Sequence, residues 1–234
     1  MDLNELKELD PKDFEGKTLL QEEILEWFKI CDAIWLHDGD PEKPHAKLSS
    51  GKCSNAYINC NKVLQYTNLC EILARQMILR LKANNADLAD WVISSSYAAI
   101  TFGHEVARQL GCCFGFTEKD PTDPKKKRML WGRFEIPKNA IILQIEELIT
   151  TLDTTKEVRR AILKDNPYSV NFSPIAGTLV HRPSKLPISY SNYEVIPSIE
   201  LEIWALPSEK CHLCKAGSKP LRPKTNWKEL TGKR

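Results

Sequence analysis

Apolar residues recur along the chain at two different spacings. Leu20, Ile24 and Phe28 fall at helix spacing within residues 17–32, and Leu69, Ile72, Leu73 and Met77 do so within residues 67–83, so both segments read as amphipathic helices. From Trp91 short apolar runs alternate with helical ones. Trp91-Val92-Ile93 predicts a strand that enters the small-residue loop Ser94-Ser95-Ser96, and Val106, Ala107 and Leu110 mark a helix over 100–110. Runs at 112–116, 141–145 and 175–180 predict three more strands, with a helix after Thr155 carried by Val158, Ala161 and Ile162. Two shorter strands are expected at 46–52 and 56–59. Strands alternating with helices predict an α/β fold, a central parallel sheet flanked by helices. In such sheets ligands sit beyond the carboxyl ends of the strands, where the Ser94 loop, the Glu146–Thr155 turn and His181-Arg182 all fall.

With 234 residues the chain is long enough for one full-sized domain over 1–234, and no internal repeat is visible. Its 42% hydrophobic and 27% charged residues are those of a soluble globular protein. A net charge of +2 gives no case for a nucleic-acid or membrane partner, and no apolar stretch is long enough to span a bilayer. Eight scattered cysteines suit reduced thiols in a cytoplasmic protein better than a disulfide framework. Cys211-x-x-Cys214 is half of a zinc site, but no second pair follows, and His212, Cys112 and Cys113 are poorly spaced to complete it; free thiols are expected.

The chemistry concentrates in the run from Ala140 to Thr155. A strand delivers Glu146 and Glu147, then Thr150, Thr151, Thr154 and Thr155 lead into a helix. Hydroxyls and free N–H groups at the positive end of a helix seat a phosphate, and carboxylates accept hydrogen bonds from a sugar diol. Taken alone, two glutamates before a helix are often mere dipole partners; the strand and the threonines tip the balance towards a site. The lysine run Lys125-Lys126-Lys127-Arg128, in a proline-broken segment, reads as a mobile surface loop or hairpin near that site. His181 and His104 read as structural or exposed rather than acid–base groups.

From about His45 onward the chain resembles the orotate phosphoribosyltransferases, a type I phosphoribosyltransferase family. The resemblance rests on His45-Ala46-Lys47-Leu48-Ser49-Ser50-Gly51 with Ser54 and Tyr57, on Phe116-Thr117-Glu118-Lys119 and Leu130-Trp131-Gly132-Arg133, on Ile145 to Thr155, on Val180-His181-Arg182, and on the Cys211–Gly217 tail. It implies Mg²⁺-dependent transfer of ribose 5-phosphate from phosphoribosyl diphosphate (PRPP) to orotate, with release of diphosphate. It also implies a five-stranded parallel core over about 66–184, a hood from about 1–65 and 185–234, and a homodimer. By this resemblance Lys119, Arg133 and Glu147 would be catalytic. Glu146, Glu147, Thr150, Thr151, Thr154, Thr155, Ser95, Ser96, Tyr97, Lys125 and Lys126 would bind PRPP. Arg182, Ser50, Gly51 and Thr150 would bind orotate, and the metal would arrive with PRPP and need no direct protein ligand.

The pattern departs from the family at three places. The acidic pair is Glu146-Glu147, Leu152-Asp153 replaces glycines after the threonine pair, and Ala98-Ala99 replaces a glycine pair or Lys-Gly in the diphosphate loop. Glycine lets backbone approach a phosphate and accepts positive φ, so these changes predict a hindered grip. Two alternatives therefore stay open: the same fold with another acceptor base, and a non-catalytic PRPP- or nucleotide-binding regulator.

Overall fold

A computed structural model of the chain describes residues 1–123, 125 and 127–232. The N-terminal part runs through α1 (Leu3–Lys7), α2 (Gln21–Ile30), β1 (Ile34–Leu36), β2 (His45–Lys47), β3 (Cys53–Ser54), β4 (Ala56–Ile58), α3 (Asn61–Leu64) and α4 (Thr67–Ala83). The central part follows as β5 (Trp91–Ser95), α5 (Ala99–Leu110), β6 (Cys113–Lys119), β7 (Met129–Leu130), β8 (Ile141–Ile149), α6 (Asp153–Asp165) and β9 (Asn171–His181). After these come β10 (Glu194–Glu200), β11 (Ala205–Leu206), α7 (His212–Lys215), β12 (Pro220–Leu221) and α8 (Trp227–Thr231).

The main sheet has the order β10-β9-β8-β5-β6-β7, parallel from β10 to β6, with β7 antiparallel at the edge. Its two faces are both covered because neighbouring strand residues point opposite ways. Val92, Leu143 and Ile145 pack with α2, α4 and α5, whereas Ile93 and Ile142 pack with Val158, Ala161 and Ile162 of α6 and with Trp131 and Ile136. Along the chain the strands advance one way from β8 through β9 to β10 and the other way from β5 to β6. The reversal lies between β5 and β8, and there the crossover helices α5 and α6 leave on opposite faces. That is the topological switch point at which open α/β sheets hold their ligands.

The strands of the main sheet run further than periodicity alone predicts, whereas α2 is shorter than the expected 17–32 and β2 shorter than 46–52. The strand expected at 141–145 continues to Ile149, so Glu146 and Glu147 lie on β8 rather than in a turn, and Ser94 and Ser95 belong to β5 rather than to a loop. The segment after Lys119 is a hairpin, with Lys119 paired to Met129 across β6 and β7.

The expected hood boundaries need correction. Leu6, Ile24 and Phe28 are buried in the same core as α4, and β10 completes the main sheet beyond residue 184. The hood is instead the sheet β11-β3-β2-β12 together with the β1–β4 pair, built from residues 34–58 and 205–221.

Candidate functional site

Beyond Ile93↔Gln144 the strands β5 and β8 no longer pair, and their ends part. Ser94 spans the start of the gap, its hydroxyl donating to Ile145 O at 2.7 Å. Helix α5 is held close behind, because a Cβ on Gly103 would stand 1.9 Å from Ser94 Oγ. Ser95 Oγ then meets Glu146 Oε2 at 2.5 Å inside the opening. The other carboxylate oxygen of Glu146 accepts from Gln144 Nε2 at 2.8 Å. Gln144 is itself fixed by Arg159 Nε at 3.1 Å, and that guanidinium lies over the rings of Phe172 and Tyr193. A chain from α6 through Gln144 therefore aims Glu146.

Glu146 is only 2% exposed. Burial, with the Glu147 carboxylate beside it, pushes its pKa up to about 8, against the hydrogen bonds from Ser95 and Gln144. Glu147 is raised as well, chiefly by burial, and the charge of Lys119 opposes the rise. The two neighbouring acids, Glu146 buried and Glu147 half-buried, are held towards their neutral forms, and hydroxyl donors or a hard cation brought beside them would favour their ionisation.

A cavity of about 420 Å³ lies over these groups, lined by Ser95, Ser96, Lys119, Lys127, Glu146, Glu147 and the whole run from Thr150 to Thr155. The N-terminus of α6 opens into it, and Leu152 at the N-cap contributes no capping side chain. The N–H groups of the first turn are thus not claimed by a cap, as an anion site requires. Ser96 Oγ is buried without a hydrogen-bond partner among the described residues.

A second cavity, of about 610 Å³, lies on the hood side. Its lining includes Lys47, Ser49, Ser50, Tyr57, Arg182, Arg222 and Lys224, and no acidic residue among those described. Arg182 Nε is buried there with no hydrogen-bond partner among the described residues. Burial lowers the Arg182 pKa, and Cys60 opposes this. A guanidinium in that state is completed by an anion, and its planar fork matches a carboxylate. A small cavity of about 90 Å³ shares Ile58 of its lining with the second space and Glu147 and Leu148 with the first. Cys60 lines that small cavity and donates its thiol to Glu147 O at 3.4 Å.

The structure thus brings Lys119, Glu146, Glu147, Ser95, Ser96, Thr150, Thr151, Thr154 and Thr155 to one cavity, and Arg182 and Ser50 to the other. Thr150, expected to touch both ligands, lines only the first. Four expected residues are not brought in. Arg133 is exposed and ion-paired with Glu118 at 2.9 Å, which turns it along the outside of the hairpin. Tyr97 is 70% exposed and lines neither cavity. Lys125 is exposed in the hairpin turn, its N–H taken by Asp123. Gly51 shapes the β2–β3 turn at φ +82° and leaves the lining to Ser49 and Ser50. Lys126 lies outside the described residues. Sequence reasoning missed Lys47, Arg222 and Lys224, as well as the aiming chain Gln144–Arg159; only the basic character of the tail hinted at Arg222 and Lys224. His181 is buried between Glu200 at 2.7 Å and Tyr190 at 2.9 Å, a structural placement.

The chain is 32% identical over 204 residues to the orotate phosphoribosyltransferase of Caldanaerobacter subterraneus, an alignment covering 87% of this chain and 96% of that one. It belongs to the orotate phosphoribosyltransferase family. A second such relative, from a Thermoanaerobacter species, is 31% identical over 209 residues with the same 87% and 96% coverage. No family model matches the chain. Its fold is the type I phosphoribosyltransferase fold. The crystal structure of orotate phosphoribosyltransferase from Aeropyrum pernix superposes with a TM-score of 0.54 at 17% identity, covering 75% of this chain and 92% of that one. The enzyme of Mycobacterium tuberculosis gives 0.52 at 12% identity, over 74% and 93%.

Proposed function

We propose that the protein transfers ribose 5-phosphate from PRPP to orotate, giving orotidine 5′-monophosphate and diphosphate. One observation carries the reading: an acid-and-hydroxyl cavity at the sheet's switch point lies across a small space, lined by Glu147 and Ile58, from a cation-rich cavity in which Arg182 Nε is unpartnered among the described residues. The 5-phosphate fits the α6 N-terminus with Thr150, Thr151, Thr154 and Thr155, and the ribose hydroxyls fit Glu146 and Glu147. Orotate's carboxylate fits Arg182, with Lys47, Arg222 and Lys224 adding positive charge.

Breaking the bond from C1 to diphosphate builds positive charge on the ribose and negative charge on the leaving group. The buried carboxylates stabilise the first; Lys119 and Lys127, on the hairpin, stabilise the second. Mg²⁺ arriving with PRPP fits this acidic pair, since Glu146 and Glu147 offer the hard oxygens such an ion prefers and its charge would lower their raised pKa values. When bound it would supply charge neutralisation on the diphosphate. A homodimer in the cytoplasm completes the proposal: the exposed Lys125 in the hairpin turn misses its own chain's cavities and is placed to reach a partner's. No described helix is long and apolar enough to cross a membrane.

The test is orotate consumption, followed at its ultraviolet band with PRPP and Mg²⁺. Turnover that needs all three components is expected. PRPP binding by calorimetry without turnover would favour the second reading, a PRPP-binding regulator, which is supported by the charge of Asp153 at the cavity lining.

A further inference from the structure

Far in sequence from one another, His45 of β2, Cys53 of β3, and Cys211 and Cys214 around α7 converge in the hood. Their ligand atoms all lie within 4.8 Å of one another. We propose that these four residues form a structural Cys₃His site for a thiophilic divalent cation, zinc above all.

The distances fit one ion at the centre. Zinc bonds of about 2.3 Å to sulfur and about 2.0–2.1 Å to nitrogen, at tetrahedral angles, set S···S near about 3.8 Å and S···N near about 3.5 Å. Cys53 Sγ lies 3.6 Å from Cys214 Sγ, and His45 Nε2 lies 3.7 Å from Cys211 Sγ and 3.4 Å from Cys214 Sγ. All of the cysteines are unbridged.

The surrounding hydrogen bonds prepare the ligands. Ser218 Oγ donates its only hydrogen to Lys43 O at 2.6 Å, so at 2.8 Å from His45 Nδ1 it must accept. Nδ1 is therefore the protonated nitrogen, and the Nε2 lone pair faces the sulfurs, the arrangement that orients a metal-bound histidine. Cys214 N–H points at Cys211 Sγ at 3.4 Å, and Ser208 Oγ lies 3.7 Å from Cys53 Sγ, both suited to thiolates. His45, Cys53 and Cys211 are completely buried. Four protein ligands leave no open position, which marks a structural rather than a catalytic ion.

Local sequence reveals only the Cys211-x-x-Cys214 half. The missing ligands come from a hairpin more than a hundred residues upstream, brought in because β12 pairs with β2 and β11 with β3. Cys113 opens β6 of the main sheet with Cys112 just before it, and the ring of His212 lies tilted against that of Trp204, 4.7 Å between centroids. The ion would clamp the β2–β3 turn to the C-terminal segment, the two pieces that line the cation-rich cavity with Ser49, Ser50, Arg222 and Lys224.

The test uses the full chain purified without chelators. Elemental analysis should find about one zinc per chain, and growth on cobalt should give a protein with the visible bands of tetrahedral Co²⁺ and thiolate charge-transfer absorption. In the native protein a thiol-specific disulfide reagent should spare three thiols that become reactive after a strong chelator is added. Cys53→Ser and His45→Ala should each cut the metal content at least tenfold, whereas Cys113→Ser should leave it unchanged. Less than about a tenth of an equivalent of metal, a non-tetrahedral cobalt spectrum, or thiol reactivity indifferent to chelator would each overturn the proposal. These three readouts need no variant to fold, and none depends on catalysis, so failure here leaves the proposed function untouched.

Discussion

Replacing Glu146 by glutamine isolates the energetic cost of the buried acid. Its carboxyl titrates at about 8 rather than at 4.5, because the ion is desolvated beside Glu147. The native state therefore binds this proton more tightly than the unfolded chain does. Its contribution to stability is complete below pH about 4.5 and is lost as pH rises through about 8. At about 1.36 kcal/mol for each pH unit between those two values, the full loss is at most about 5 kcal/mol, of which about 4 kcal/mol falls between about pH 5 and pH 9. Glutamine keeps both hydrogen bonds: its carbonyl can accept from Gln144 Nε2, and its amide can donate to Ser95 Oγ. Glu146→Gln should accordingly match the parent near pH 5 and exceed it increasingly above about pH 6, by up to about 4 kcal/mol at pH 9. For a chain of this length that is a shift in Tm of order 10 °C. Denaturant unfolding of both proteins across this range measures the gap. A gap that stays constant to within about 0.5 kcal/mol would show that Glu146 is ionised at ordinary pH and that the reasoning from burial is wrong.

The same proton should appear in ligand binding. If Glu146 must ionise to accept the ribose hydroxyls, PRPP affinity should rise roughly tenfold per pH unit from about 7 towards 8 and then level off, with proton release visible by calorimetry in buffers of different ionisation heat; Glu146→Gln should abolish that release. Arg182→Ala should weaken orotate by roughly tenfold to a hundredfold and PRPP hardly at all, as loss of a charge-assisted pair predicts, and equal losses in KM for both substrates would remove Arg182 from its assigned role. Asp153→Asn removes a negative charge from the lining of the phosphate cavity. For an exposed charge about 4 Å from the phosphate, at the dielectric of bulk water, this should strengthen PRPP by about 1 kcal/mol, roughly fivefold in Kd, and an unchanged Kd would place the phosphate elsewhere.

How much of this is legible in the sequence depends on whether the determining contacts are local. Helix α4 over Thr67–Ala83 can be read at its true bounds because Leu69, Ile72, Leu73 and Met77 repeat on one face. Strand β10 escapes such reading because Pro197 interrupts it; proline is tolerated there because β10 is an edge strand. Glu146 and the threonines can be found because strand, acids and helix start are contiguous. The cations Lys47, Arg222 and Lys224 cannot, since only the pairing of β2 with β12 sets them around Arg182. Arg133 lies outside both cavities for a related reason: its position after the hairpin is a local property, but the ion pair with Glu118 decides which way it points.

Leu152 shows how a departure from the family pattern can keep the geometry it was expected to spoil. The residue holds the left-handed backbone, φ +60° and ψ 4°, that a glycine would adopt freely. For a side chain this costs roughly 1–2 kcal/mol. Leu152 is 2% exposed and packs with Ile149 and Ala176 under Tyr190, Tyr193 and Val195, and burying a leucine contributes roughly 1.5–3 kcal/mol. The burial term is large enough to hold the strained turn, so the shape of the phosphate cradle is set here by packing rather than by glycine's freedom. What packing cannot restore is charge: Asp153 leaves this cavity poorer in positive potential than the backbone alone suggests. Any reduced grip on PRPP should therefore be electrostatic in origin, weaken further with added salt, and respond to Asp153 rather than to Leu152.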